Sequence, residues 1–251
     1  MPRTMLTDEH WSRLKLILLD LNIYDKPNLR NILEAMLFCL RAGCRWRDIP
    51  ECFGAHNTIF KTFRRWTKSN KLIKLFKNLI DSPDLEWIFI DGSHIRAHQH
   101  STGAAMGQAN YISKSVAGNS SKIHLAVDAN GNPIEFIISD GTTHDVKIAP
   151  ELVSLLDCDK TEFIGADKGY DSDELRYQIK NRAIGANIPK KKNTKSSYNH
   201  MDWYLYKMRH LVENAFARLK HFRSIATRFD KLKESFEATV ALACAYIWIK
   251  L

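Results

Sequence analysis

The hydrophobic rhythm of the chain changes at Ser82-Pro83, and that change limits the folds open to it more than any other feature. Before it, apolar residues recur at helical intervals. Thr7 caps "DEHWSRLKLILLDL", Pro27 opens "NLRNILEAMLFCLRAG" with apolar side chains at 29, 32, 33, 36, 37 and 40, and Gly43 ends it. Two shorter helices are predicted next, "RWRDIPECFG" and, after the turn "AHN", "TIFKTFRRWTKSN". Helix, glycine-bearing turn and basic helix together form a helix-turn-helix pattern. After Pro83 the period becomes that of strands: "EWIFI" ending at Asp91, a hairpin "KIHLAVDANGNPIEFIIS" around Asn130-Gly131, "TEFIGA" leading to Asp167, and "AIGANIP". Helical segments at about 144–156, 172–182 and 204–220 intervene.

Three strands, then helices alternating with strands, predict an α/β fold of the ribonuclease H-like kind: a mixed sheet flanked by helices, behind a small all-α helix-turn-helix domain. The expected division is 1–82 for the helical domain and 83–251 for the sheet domain. A composition of 45% hydrophobic and 26% charged residues suits globular domains rather than a disordered chain. The run "ATVALACAYIWIKL" is shorter than the about 20 residues a bilayer crossing takes, and it reads as a buried closing helix. "MPRTMLTDEHW" lacks the apolar stretch of a signal peptide. Five cysteines without a CxxC pair indicate neither a disulfide framework nor a zinc ribbon, so Cys44 and Cys52, with His56 nearby, read as thiols of a reducing compartment. The expectation is a cytoplasmic protein with no membrane partner.

The formal charge of +9 is concentrated. From Cys52 to Ile80 there is no acid, while Lys61, Arg64, Arg65, Lys68, Lys71, Lys74 and Lys77 all fall there. With Ile59, Phe63 and Trp66 turned inward, Thr58, Lys61, Arg65 and Lys68 form an outward face suited to phosphates. The run "PKKKNTK", with Lys190, Lys191 and Lys192, is an ordinary solvated loop in isolation; just before the last helix of the sheet domain it is also placed to track a DNA backbone.

In "YKMRHLVENAFARLK" the residues Tyr206, Arg209, Glu213 and Lys220 fall, at about 100° per residue, on one stripe roughly 60° wide beside the apolar face. Arg209 and Glu213 alone are an ordinary i,i+4 pair, contributing about 0.2 to 0.5 kcal/mol. The element order gives them a second meaning. Asp91 and Asp167 follow strands one and four, which neighbour each other in such a sheet, and the last helix directs Glu213 towards them. Three convergent carboxylates require cations, and Mg²⁺, an oxygen-seeking ion, suits them. Two ions about 3.5 to 4 Å apart support phosphodiester cleavage and transfer. At about 1.5 Å per residue, Arg209 lies roughly 6 Å before Glu213 and Lys220 roughly 10 Å after it, a spacing suited to the flanking phosphates.

Tyr206, Arg209, Glu213 and Lys220, with their spacings, resemble the Tyr-Arg-Glu-Lys signature of bacterial insertion-sequence transposases of the DDE type. "FIDGSHIRAH", "SSKIHLAVDANGNPIEFIISDGTTHD", "GADKGYDSDELR" and "HLVENAFARLKHFRSIATRFDK" are similar to successive blocks of insertion-sequence family five, and "GCRWRDIPECFG" with "FRRW" resembles its N-terminal domain. The resemblance runs over nearly the whole chain. It implies that Asp91, Asp167 and Glu213 form a DDE triad binding two Mg²⁺ ions, with Mn²⁺ as a substitute. It further implies that Tyr206, Arg209 and Lys220 contact DNA, and that the substrates are an element's terminal inverted repeats and target DNA. Two ends must be brought together, so a homodimer on DNA is expected, at the bacterial nucleoid. The alternatives are a nuclease of this fold that cuts without joining and a DNA-binding regulator that does neither.

The remaining candidates are weighed as structural. His94, His98 and His100 have zinc-like spacing but lie in the acid-free stretch 92–121, expected to be a DNA-facing loop. Asp128 belongs to the hairpin turn. Asp171, Asp173 and Glu174 dress the start of a helix, and Lys168 and His144 are within possible reach of the cleft.

Overall fold

A computed structural model describes residues 3–103, 110–115, 118–191 and 201–251. The chain forms two compact units, one of Met1–Asp81, Arg96–Asn110 and Leu219–Leu251, the other of Ser82–Ile95 and Tyr111–Arg218.

In the first unit, α1 (Asp8–Asp20) begins at a reciprocal cap in which Thr7 Oγ1 accepts from the His10 N–H and His10 Nδ1 accepts from the Thr7 N–H. The helix α2 (Leu29–Ala42) ends where Gly43 takes a left-handed conformation (φ 62°). Glycine is required there twice over, because a Cβ would also lie 2.8 Å from Arg223 Cβ. The segment "RWRDIPECFG" is not a helix. It forms two 3₁₀ turns, Trp46–Asp48 and Glu51–Phe53, since Pro50 between them has no N–H to continue a helical ladder. The helices α3 (His56–Lys68) and α4 (Lys71–Leu79) follow. Ile59, Phe63 and Trp66 are buried as the sequence predicts, and α3 is tied to the last helix, α10 (Lys233–Ile249), by Arg64, which reaches Glu234 at 3.1 Å and Ser235 Oγ at 2.9 Å. The closing helix is apolar on nearly all sides, and such a helix is stable only inside a core; here that core is helical.

The second unit holds the sheet. Its strands are β1 (Trp87–Ala97), which runs on past the unit's end at Ile95, β2 (Ser113–Ser115), β3 (Gly118–Val127), β4 (Pro133–Asp140), β5 (Phe163–Gly165) and β6 (Gly185–Asn187). They are ordered β2-β3-β1-β5-β6, with β4 also on β3. The β2–β3 and β3–β4 pairs are antiparallel, and β1–β5 and β5–β6 are parallel. The sheet is therefore mixed. Helices α5 (Asp145–Ser154) and α6 (Asp173–Asn181) follow β4 and β5.

Two expectations are corrected here. The first strand does not end at Asp91 but continues to Ala97, with Ile95 and Ala97 buried, and its last residues pair with β7 (Thr227–Arg228). Much of the expected loop 92–121 is thus strand; residues 104–109, 116 and 117 lie outside the described residues. The expected helix 204–220 is broken into α7 (Trp203–Lys207) and α8 (His210–Lys220). Across the break the N–H groups of Met208, Arg209, Leu211 and Val212 bond three residues back, which tightens the turn at Arg209.

Candidate active site

The second unit places Asp91 and Asp167 by strand register. Trp87, Ile88 and Phe89 of β1 lie opposite Phe163, Ile164 and Gly165 of β5. Parallel neighbours that continue in register bring Asp91, two residues past Phe89, beside Asp167, two past Gly165. Gly165 makes this closeness possible, because a Cβ there would sit 2.7 Å from the Phe89 ring. Asp167 caps a 3₁₀ turn, Lys168–Tyr170, accepting from the Gly169 N–H at 2.8 Å, and Asp91 accepts from the Gly92 N–H at 2.8 Å.

Glu213 is positioned by α8, and α8 by the hairpin turn. Gly131, at φ 77°, leaves room for Leu211, whose carbonyl oxygen would be 3.2 Å from a Cβ at that position. Arg218 donates to the Gly131 carbonyl oxygen and, at 3.3 Å, to Asn132 Oδ1. Asp128 holds the turn by accepting from the N–H groups of Asn130 (3.0 Å) and Asn132 (2.7 Å), the structural role expected of it.

Arg209 joins the carboxylates. Its guanidinium donates to Asp91 Oδ2 at 3.0 Å and to Glu213 Oε1 at 2.5 Å, and it lies over the Tyr206 ring, 5.9 Å from the centroid. Burial lowers the pKa of Arg209, but Asp91, Glu213, Tyr206 and Asp167 outweigh it and hold the guanidinium charged. Arg209 thus joins Asp91 to Glu213, while Asp167 influences it only through its nearby charge. For Asp91, burial raises the pKa; the Gly92 N–H and Arg209 oppose this, and Asp167 and Asp145 add to it, leaving the carboxyl at about 6. Burial is the largest of these effects, and the Gly92 N–H and the guanidinium offset it only in part.

Among the described residues, no three His, Cys, Asp or Glu side chains already surround a common point as metal ligands. The donor chemistry nevertheless fits a hard divalent ion: three carboxylates in one region, with a single guanidinium between two of them.

A second charged group, unforeseen from the sequence, lies against the first. Lys122 Nζ is 2.6 Å from Asp145 Oδ2, and the Tyr170 hydroxyl donates to Asp145 Oδ1 at 3.3 Å. His124 Nδ1 is also 3.3 Å from Oδ1, but at an angle too poor for a hydrogen bond, while its Nε2 meets Ser139 Oγ at 2.8 Å. Burial raises the Asp145 pKa, yet the contacts from His124 and Lys122 prevail and hold it at about 2. The available signal was a lysine and a histidine on the same inward face of an otherwise apolar strand, "KIHLAV".

The other candidates fall as follows. Lys61, Arg65 and Lys68 are exposed on α3, and Arg64 is half-buried against α10. Lys220 is exposed at the end of α8, and Tyr206 is half-buried. Lys191 donates to Asp171 through its backbone N–H (2.8 Å) and its Nζ (3.1 Å); Lys190 is half-buried, and Lys192 lies outside the described residues. Asp171 does not dress the helix start: it takes the Arg176 guanidinium at 2.8 Å, and Ser172 is the cap. His98 stacks on Phe229 and caps a short turn, while Lys168 and His144 are exposed.

Residues 82–248 match the family described as "Transposase DDE domain", and residues 6–76 match "Putative transposase of IS4/5 family". The chain belongs to the DDE transposases. A putative transposase for insertion sequence element IS6501 from Brucella ovis is 38% identical over 129 residues, 51% of this chain and 98% of that protein. A putative transposase for element IS402 from Burkholderia cepacia is 30% identical, over 51% of this chain and 62% of its own length. The piggyBac transposase in a synaptic complex with hairpin DNA shares the fold at a TM-score of 0.51 and 10% identity, covering 98% of this chain and 72% of that one. This DDE transposase is accordingly a DNA transposase, of a family that generally uses divalent metal ions. Among its described residues, no helix is long and apolar enough to cross a membrane.

Proposed function

We propose that Asp91, Asp167 and Glu213 are the catalytic triad of a ribonuclease H-like domain and hold two Mg²⁺ ions, for which Mn²⁺ substitutes, while the protein cuts and joins the ends of an insertion sequence. The observation that supports this is the Arg209 guanidinium joining Asp91 to Glu213, with Asp167 at the end of the neighbouring strand and burial holding the Asp91 carboxyl at about 6. Bound there, divalent ions would activate the attacking oxygen and stabilise the leaving one. The chain's own residues supply the rest. Asp91 and Asp167 stand on neighbouring strand ends, each held by a backbone N–H group. Arg209, which pairs with Asp91 and Glu213, would be available to a phosphate if a metal held those carboxylates, and Tyr206 and Lys220 would border the same DNA.

Residues 1–82 recognise the terminal inverted repeats through the face of Lys61, Arg64, Arg65 and Lys68 on α3; the first helix of the expected helix-turn-helix, "RWRDIPECFG", is replaced by the two 3₁₀ turns. Residues 83–251 carry out the chemistry, with Lys190, Lys191 and Lys192 beside the DNA backbone. Two chains act together on two ends, as a homodimer on DNA at the bacterial nucleoid.

An end-joining assay with labelled inverted-repeat DNA, Mg²⁺ and purified protein tests this. Joined products are expected from the wild type, and bound but uncut DNA from Asp91→Asn. Nicks without joining would make the protein a nuclease, and binding without any cleavage a regulator.

A further inference from the structure

We propose that Asp145, held by Lys122 and Tyr170, is a positioning residue that fixes both catalytic aspartates from behind the site. The proposal rests on the assignment of Asp91 and Asp167 as metal ligands.

Its basis is connectivity. Gly92, immediately after Asp91, packs directly on this group: a Cβ there would overlap Asp145 Oδ1 and come within 2.8 Å of Lys122 Cε. Tyr170, which is fully buried, ends the turn that Asp167 caps, and its hydroxyl donates to the same carboxylate oxygen. Asp145 also opens α5, where the helix N-terminus favours a negative charge. A single carboxylate therefore braces the backbone beside one aspartate and the turn of the other. Lys122, with a side chain only 8% exposed, takes the second oxygen of Asp145 at 2.6 Å, so the carboxylate cannot turn away from Gly92 and Tyr170.

A buried ion pair is a poor way to gain stability alone, since well-packed apolar residues of similar volume serve as well or better. Directional contacts are what such a pair adds. Outer partners of metal ligands act in this way, and their loss reduces metal affinity about 10- to 100-fold.

The test measures Mn²⁺ binding by electron paramagnetic resonance on the full-length protein, beside the Mn²⁺ dependence of end cleavage. The double variant Lys122→Met with Asp145→Leu replaces the pair by apolar residues of similar volume. It is expected to melt near the wild-type temperature, yet to bind Mn²⁺ about tenfold more weakly and to need correspondingly more for cleavage. Tyr170→Phe, which removes one hydroxyl, is expected to show a smaller loss of a few-fold, and it decides the matter if the double variant does not fold. Wild-type Mn²⁺ affinity in a folded double variant, or in Tyr170→Phe should that stand alone, overturns the proposal. The wild type and Asp91→Asn separate this from failure of the triad: a wild type that neither binds Mn²⁺ nor cuts, or an Asp91→Asn variant that still binds and cuts, removes the triad itself.

Discussion

Two groups of charges lie side by side in the sheet unit and are built on opposite terms. Around Arg209, one guanidinium bridges Asp91 and Glu213, with Asp167 on the neighbouring strand end, Glu213 half-exposed and Asp91 carrying a pKa of about 6. Around Asp145, one carboxylate receives a lysine and a tyrosine, is itself mostly buried, and holds a pKa of about 2. The first group has less positive charge than it needs, and its cation sits on a flexible side chain. In the second, a lysine and a tyrosine hydroxyl meet the single carboxylate. A site meant to exchange a side-chain cation for metal and phosphate needs the first kind of arrangement, resting on a framework of the second kind.

The sharpest way to break this contrast is to neutralise a member of the open group. Asp91→Asn or Glu213→Gln is expected to lower end cleavage on the order of a thousand-fold or more while leaving end binding intact, measured by single-turnover cleavage and gel shift. Wild-type cutting by either variant would remove that residue from the triad.

Stability gives the second comparison. Lys122→Ala removes the cation from Asp145, whose carboxyl stays ionised down to about pH 2, and is expected to destabilise the protein by about 3 to 5 kcal/mol, whereas after Arg209→Ala the equally buried Asp91 can take up a proton near pH 6, so a smaller loss is expected. Urea unfolding of both variants measures the difference. Equal effects would mean that the two groups do not differ as described.

The third comparison depends on pH. Asp91 has a folded pKa of about 6 against an ordinary value of 3.8, so its protonated form favours folding. That contribution is complete below pH 3.8 and is lost as pH rises to about 6. Without divalent ions, Asp91→Asn is therefore expected to be more stable than the wild type above pH 6, by roughly 1 to 3 kcal/mol, and equal to it below pH 4. Asp145, with its depressed pKa, is expected to behave oppositely: its contribution is present at neutral pH and lost as pH falls towards 2. Melting curves from pH 3 to 8 check both.

The smallest effect concerns DNA binding. Arg65→Ala is expected to weaken end binding and reduce its salt slope by about 1. Arg64→Ala is expected to do less in binding and more in stability, because Arg64 also holds Glu234 and Ser235.

The elements that carry the acids were legible because their signals are local. Each of these signals, the apolar runs ending near Asp91 and Asp167, the Asn130-Gly131 turn and the spacing of Arg209 and Glu213, spans only a few neighbouring residues. Family blocks over nearly the whole chain gave the same reading. The Asp145 group was not legible, because its partners are 23 and 25 residues away and meet only once β3, α5 and the turn after β5 are packed. The continuation of β1 past Asp91 escaped for a related reason: polar Gly92, Ser93 and His94 look like a loop, and only sheet pairing makes them strand. At the α7–α8 break, helical periodicity continues through residues whose backbone bonds have tightened by one, so sequence spacing cannot reveal it.

The exchange of Arg209 for metal is tested most directly by diffraction at the manganese edge from crystals of the protein with Mn²⁺ and end DNA. Anomalous peaks are expected at about 2.0 to 2.3 Å from the oxygens of Asp91 and Asp167, with Glu213 turned towards them and the Arg209 guanidinium withdrawn from Asp91 onto a phosphate. Manganese bound elsewhere, with Arg209 still joining Asp91 to Glu213, would contradict the account.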